Sequence, residues 1–261
     1  MKILVAIKQV PERDAPLHLS TDAKGIEERE LQWALNESDA YALEEALQLK
    51  EKHGGEVVVV SAGPERVGST IREALAKGAD RAIHIDCDDL EQRDALGMAQ
   101  LLATAIKSES PDLTMTGLQS DDLGYGQTGV ILAEVLGLPH ATLILQVEIV
   151  GLGQPGAQIK AKRELEEGWF QTIDLPLPAV LSIQSGGTRL RYATLMGIKK
   201  AKTKEVRHVT AQDLGAACAP VVILERISAP RKQKSTQIIG GSAKEAAAIL
   251  AEKLKFEARV L

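Results

Sequence analysis

The sequence is poor in cysteine, in aromatic residues and in long apolar runs, with 2 Cys, 2 Phe, 3 Tyr and 2 Trp among 261 residues. Cys87 and Cys218 stand far apart and form no CxxC. That excludes a disulfide scaffold, a thioredoxin-type pair and a cysteine zinc site, and it fits a reducing compartment, the cytoplasm. With so few rings the core must be aliphatic. No apolar run approaches the roughly 20 residues a membrane span needs, and Ile3 to Ile7 is closed by Lys8, too short for a signal-peptide core. The expectation is a soluble protein without membrane insertion. HExxH, paired histidines and GxSxG are also missing, so no metal ligand and no catalytic group is assigned. A net charge of −5 disfavours nucleic acid as a partner, because affinity for phosphate backbones comes from displaced counterions.

Strands alternating with helices dominate what is present. KILVAIKQV (Lys2 to Val10) reads as a buried parallel strand, followed by an irregular stretch from Glu12 to Leu35. Asn36 then caps the helix ESDAYALEEALQLKEKH, which Gly54 and Gly55 end. The pattern repeats with strand Glu56 to Ser61 and a helix from Glu65 to Lys77, then with strand Arg81 to Asp86 and a helix from Gln92 to Lys107. Strand Leu113 to Thr116, a loop from Gly117 to Gly126 and a helix through Leu136 complete the series. Each parallel connection needs a crossover, so this spacing predicts an α/β fold with a doubly wound, mostly parallel sheet. After Pro139 the period falls to two. Leu143 to Val150, Gln158 to Leu165 and Trp169 to Leu175 read as an antiparallel β-meander within 140–176. Pro178 to Gln184 can rejoin the main sheet. The domains expected are 1–208, an α/β nucleotide-binding domain, and 209–261, a C-terminal arm with a strand at Val221 to Leu224, a polar linker and an amphipathic helix from Lys244 to Lys255. An arm that buries so little of itself suits a partner.

Two motifs are decoys. Gly63 to Thr70 imitates a phosphate loop but has Ser69 where the lysine belongs. His84, Asp86 and Asp88 alternate as HIDCD, which places them on the polar face of a strand. A third, Gly124-Tyr125-Gly126-Gln127-Thr128-Gly129, matches GxGxxG weakly, yet it opens a helix whose first amides on Gly126, Gln127 and Thr128 form an anion site. Alone it weighs evenly against an ordinary loop. Asp121 and Asp122 would repel a phosphate, so they cap or contact a ribose. RLRYATLMGIKKAKTK (Arg189 to Lys204) shows neither helix nor strand period and sets Tyr192, Leu195, Met196 and Ile198 among cations. It is either a solvated loop or a docking loop with an apolar anchor.

These segments in this order, ILVAIKQV, LNESDAYALEEALQLKE, VVVSAGPERVGSTIREALAKGADRAIHI, GLQSDDLGYGQTG, REL before LPAVLSIQ, and RYATLMGIKKAKTK, resemble the beta subunits of electron transfer flavoprotein along nearly the whole chain. The resemblance implies a Rossmann-like sheet of the adenine nucleotide hydrolase-like kind. It implies a heterodimer with an alpha subunit that holds most of the FAD and is wrapped by the arm. It also implies electron entry from primary dehydrogenases and exit through a quinone oxidoreductase. A structural AMP would be held by Ala6, Asn36, Glu37, Ser38, Asp39, Ala62, Gln119, Gly126, Gln127, Thr128 and Gly129. Residues 186–204 would be the recognition loop, with Tyr192, Leu195, Met196, Lys199 and Lys200 docking the dehydrogenase. Some family members have a tyrosine near Arg13 that approaches the flavin, and it is absent here. Electron-bifurcating members, which bind a second FAD in place of AMP, carry a motif like DGDTAQVGP where this chain has SDDLGYGQTGV, so AMP is the expectation. The competing readings are that bifurcating variant, an adenine-nucleotide hydrolase or ligase and a standalone AMP sensor. Against the enzyme stands a phosphate loop with neither lysine nor arginine.

Overall fold

The structure, a computed structural model, describes residues 1–90, 93–215, 220–230 and 236–260. Cys218, the expected helix start at Gln92 and part of the polar linker lie outside the described residues.

The first apolar run makes a shorter strand than expected, Lys2–Ala6 (β1). Its ladder ends because the Lys8 amide is taken by the Asp39 side chain at 2.8 Å. The chain then turns into Gln9–Pro11 (β2), which pairs antiparallel with Trp33–Leu35 (β3), so the stretch thought irregular closes on itself as a small hairpin. Glu37–His53 (α1), Glu56–Gly63 (β4), Gly68–Lys77 (α2), Arg81–Asp86 (β5), Ala95–Glu109 (α3), Leu113–Gly117 (β6) and Thr128–Leu136 (α4) follow the expected alternation. Glu65–Val67 is a 3-10 turn leading into α2, and Asp94 caps α3 by accepting from the Gly97 amide at 2.8 Å.

His140–Val150 (β7), Gln158–Glu164 (β8) and Phe170–Pro176 (β9) form the meander, and Ala179–Ile183 (β10) returns to the sheet. Leu195–Ala201 (α5) and Val206–Thr210 (β11) follow, so β11 runs past residue 208, where the sequence reading divided the chain. The nine-stranded sheet has the order β11-β5-β4-β1-β6-β10-β7-β8-β9. Pairing is parallel from β11 to β7, and the meander continues that sheet rather than forming its own.

Alternation along β1 sorts the core into two layers. Ile3 and Val5 pack with α1 and α2 residues such as Leu43, Leu47, Ile71 and Leu75, while Leu4 and Ala6 pack with α3 and α4 residues such as Leu101, Ile106 and Leu132. Both faces are covered, which parallel strands require. From β1 the chain first steps outward to β4 and β5, then crosses back to β6. The loops leaving β1 and β6 therefore diverge, and the crevice between them is the topological switch point.

The chain divides into two compact units, Met1–Arg226 and Ile227–Leu261. In the first, Val221 to Leu224 is not the strand expected. The Val221 and Val222 amides instead donate to Asp94 at 2.8 and 3.0 Å. In the second, Ala243–Glu252 (α6) starts at a capping box made by Ser242 and Glu245 and runs into a π-helical turn, Lys253–Glu257. Among the described residues, no helix is long and apolar enough to cross a membrane.

Candidate functional site

The carboxyl ends of β1, β4 and β6 gather the residues expected around a nucleotide. Ala6 and Ala62 end neighbouring strands. Asn36 stands at the start of α1, but its side chain does not cap that helix. Its amide nitrogen donates to the Gln119 carbonyl at 2.9 Å and to Ser38 Oγ at 3.1 Å, and its Oδ1 accepts from the Asp121 amide at 2.9 Å. Ser38 Oγ donates to the same Gln119 carbonyl at 2.6 Å. The capping acceptor comes from across the crevice, where Asp121 Oδ2 accepts from the Glu37 amide at 3.1 Å. The first turn of α1 and the loop after β6 are therefore one hydrogen-bonded body.

Asp39 closes the switch point. One carboxylate oxygen accepts from the Lys8 amide beyond β1 and the other from the Gly117 amide at the end of β6, each at 2.8 Å. Burial pushes its carboxyl up to about 7, against the two amides that favour the charged form. Gly117 is required for space, since a Cβ there would overlap Asp39 Oδ1 and Ser38 Oγ. Gly129, on the first turn of α4, lies as close to the Ser182 and Thr116 hydroxyls, which bond each other at 3.2 Å. Gly126 has φ +63°, a left-handed conformation that suits glycine. Gln127 offers no side-chain cap, which leaves the first amides of α4 without a partner in the helix.

Sequence reasoning missed Lys8. Its Nζ contacts Asp122 at 2.6 Å and Ser120 Oγ at 3.4 Å, so the loop thought to lack a cation receives one from the end of β1. Asp122 is thus an ion-pair partner. Burial opposes its ionisation, but Lys8 outweighs that and holds the carboxyl below the usual range. The signal was available in the sequence, since Lys8 is the first charge after the first strand. Glu37 points elsewhere and pairs with Arg13 at 2.7 Å, both exposed.

The decoys resolve as structure. Gln9 Nε2 donates to Ser69 Oγ and Thr70 Oγ1, each at 2.9 Å, and to the Arg66 carbonyl at 3.1 Å, which occupies the phosphate-loop mimic. His84 is not on a polar face. It is buried, bonds the Gly63 carbonyl through Nε2 at 2.9 Å and meets the His208 ring edge-on at 5.2 Å, because β4 and β11 flank its strand.

In the Arg189 to Lys204 segment the structure has a helix, α5, where no period was legible. Thr194 caps it by accepting from the Gly197 amide at 3.0 Å, and a Cβ on Gly197 would strike the Ala76 carbonyl of α2. Tyr192 and Leu195 are 88% and 82% exposed, with Met196 and Ile198 beside them. Several cations in and just after this segment are already engaged. Arg191 is tied to Glu44 and Glu51, Arg207 lies 3.5 Å from Glu109, and Lys204 Nζ donates to the Leu75 carbonyl at 2.9 Å. Lys199, Lys200 and Lys202 are exposed and have no ion-pair partner among the described residues.

Comparison with known proteins places these features in a family. The electron transfer flavoprotein domain family matches residues 24–214. The electron transfer flavoprotein subunit beta of Methylophilus methylotrophus is 38% identical over 259 residues, 96% of this chain and 97% of that protein. The mitochondrial subunit beta of Oryza sativa subsp. japonica is 36% identical and that of Bacillus subtilis (strain 168) 34%, each over the full length of both chains.

Proposed function

The chain belongs to the electron transfer flavoprotein family as a beta subunit, and from that premise we propose that it is the non-catalytic half of a heterodimeric electron carrier. In this reading an alpha subunit holds most of the FAD, which supplies the redox chemistry when bound. This chain positions that flavin, carries an AMP at the switch point and docks primary dehydrogenases through α5, with a quinone oxidoreductase as acceptor. A cytoplasmic location fits the two cysteines.

The observation that carries the AMP assignment is the start of α4. Its unpartnered amides suit one phosphate, and the packed body from Asn36 to Asp39 with Gln119 stands beside it. A diphosphate with an isoalloxazine needs more donors. A nucleotide hydrolase is disfavoured because Lys8, the cation at this loop, is already neutralised by Asp122. Packing of the chain's end on the alpha subunit is supported by the apolar run Val221, Val222 and Ile223, each about two-thirds or more exposed.

Co-expression with the alpha subunit tests the reading. The expected product is a yellow heterodimer from which acid extraction releases FAD and AMP in equal amounts, and Gly126→Val is expected to lose AMP and weaken the pairing. Two equivalents of FAD with no AMP would reverse the nucleotide assignment. A colourless chain that purifies alone and turns over nucleotides would sink the carrier reading.

A further inference from the structure

The cations of the docking segment do two different jobs. Before α5 the chain is drawn onto α1. Thr188 Oγ1 accepts from Gln48 Nε2 at 2.8 Å, and Gly187 approaches the Leu145 carbonyl too closely for any side chain. Arg191 then commits nearly all of its donors to α1. Its backbone amide and Nε reach Glu44 Oε2 at 3.2 and 2.8 Å, and Nη2 reaches Glu44 Oε1 at 3.0 Å. Nη1 and Nη2 reach the two oxygens of Glu51 at 2.6 and 3.2 Å. Two carboxylates about two helical turns apart are thus forked by one guanidinium, a geometry that lysine cannot reproduce.

After α5, Lys204 Nζ donates to the Leu75 and Ala79 carbonyls around the end of α2, where a cation also suits the helix dipole. Between these fastenings Tyr192 stands out in solvent just before a helix of seven residues, and Leu195 and Met196 stand out on its first turn. A helix that short has little stability of its own, so its conformation depends on how its ends are held.

We propose that Arg191 is a positioning residue for partner recognition, holding the entry of α5 to Glu44 and Glu51 so that Leu195 is presented in a fixed orientation while the guanidinium itself never reaches the partner. The inference rests on the reading of α5 as the docking element. It separates Arg191 from Lys199, Lys200 and Lys202, whose free charges act at long range.

The test uses the heterodimer co-expressed with its alpha subunit and compares Arg191→Ala, Arg191→Lys, Glu44→Gln and the Arg191→Ala/Glu44→Gln pair. Hydrogen exchange at the amides from Tyr192 to Ile198 needs no partner. It is expected to accelerate about tenfold in Arg191→Ala, the order expected for losing charge-assisted bonds to a half-buried pair, and less in Arg191→Lys. Electron transfer from a reduced primary dehydrogenase of the same organism, below saturation, is expected to fall by a similar factor. Its salt dependence and the flavin content should stay parental. Glu44→Gln should behave alike, and the pair should be no worse than Arg191→Ala alone.

Unchanged exchange in Arg191→Ala overturns the proposal, as does faster exchange with parental transfer. Transfer that falls together with a flattened salt dependence also overturns it, because the guanidinium would then be meeting the partner directly. The docking reading has its own control. Parental transfer by Leu195→Ala removes α5 as the docking element, whereas an impaired Leu195→Ala beside a normal Arg191→Ala leaves docking standing and removes only the positioning role.

Discussion

Asp39 and Glu44 are both buried acids on α1, both bonded to distant parts of the chain, and their carboxyl groups are shifted in opposite directions. At Asp39, in the first turn, burial wins over the two backbone amides, the Asn36 side chain and the nearby charge of Lys8, and pushes the carboxyl up to about 7. At Glu44 burial also opposes the charge, but Arg191 with Gln48 outweighs it and holds the carboxyl below the usual range. Neutral donors and a cation bonded to another carboxylate do not offset the loss of water around Asp39, whereas a guanidinium forked directly onto Glu44 does. One helix therefore offers two kinds of anchor, an amide-filled one at the switch-point crevice and an ionic one under α5.

The most severe break in the crevice anchor is Gly117→Ala, whose Cβ has no room beside Asp39 and Ser38. We expect a loss of about 3 kcal/mol in thermal or urea unfolding, with bound nucleotide released, as for overpacking against fixed polar atoms. A parental melting curve would show that Asp39 is loosely seated. At the other anchor's surface, Leu195→Ala removes an exposed side chain that the proposed docking would bury. Partner affinity should fall about tenfold to a hundredfold with little change in melting temperature, read by stopped-flow transfer below saturation.

The comparison of the two acids sharpens into a pH experiment. A carboxyl whose folded pKa is raised is neutral in the folded chain and charged in the unfolded one between the ordinary value of 3.8 and about 7, so its stabilising contribution is lost as pH rises through that window. Glu44 is the reverse, since its contribution is present above the unfolded value of 4.5 and is lost as pH falls below it. Asp39→Asn should cost about 2 kcal/mol, because its amide group turns a donor towards a backbone N–H, and it should flatten stability between pH 4 and 7. Glu44→Gln should flatten only the acid limb. Identical pH profiles for the two variants would erase the distinction. The smallest effect is expected from Lys199→Gln, Lys200→Gln and Lys202→Gln together. The association rate should drop only severalfold and its dependence on salt should weaken, with dissociation unchanged.

The order of strands and helices was readable because buried parallel strands and amphipathic helices leave local periods in the sequence. The helix start at α4, with its glycine-rich approach and uncapped first amides, was readable for the same reason, since glycines before a helix are a local signal. Local reasoning failed where a distant group supplied the partner. It extended β1 to Val10, because nothing in KILVAIKQV reveals that Asp39 takes the Lys8 amide. It made Asn36 a cap, although the capping acceptor is Asp121, and nothing in it revealed that Arg191 is tied to Glu44. It saw no helix in RYATLMGIKKAKTK, since a seven-residue helix fixed by Thr194, Gly197 and its two end fastenings carries too few residues to show a period.

By itself, then, the sequence determined the α/β class, the aliphatic core, the meander and a resemblance that the relatives bear out over the full chain. Those properties are sums over many short-range choices, each written within a turn or a strand. The tertiary structure alone decided which polar groups are spent and which are free. It placed Asp39 across the switch point, Lys8 on Asp122 and Arg191 on Glu44, pairs separated by 31 residues or more along the chain. Whether a charge is an anchor or a lure depends on what folding sets beside it, and no local pattern records that contact.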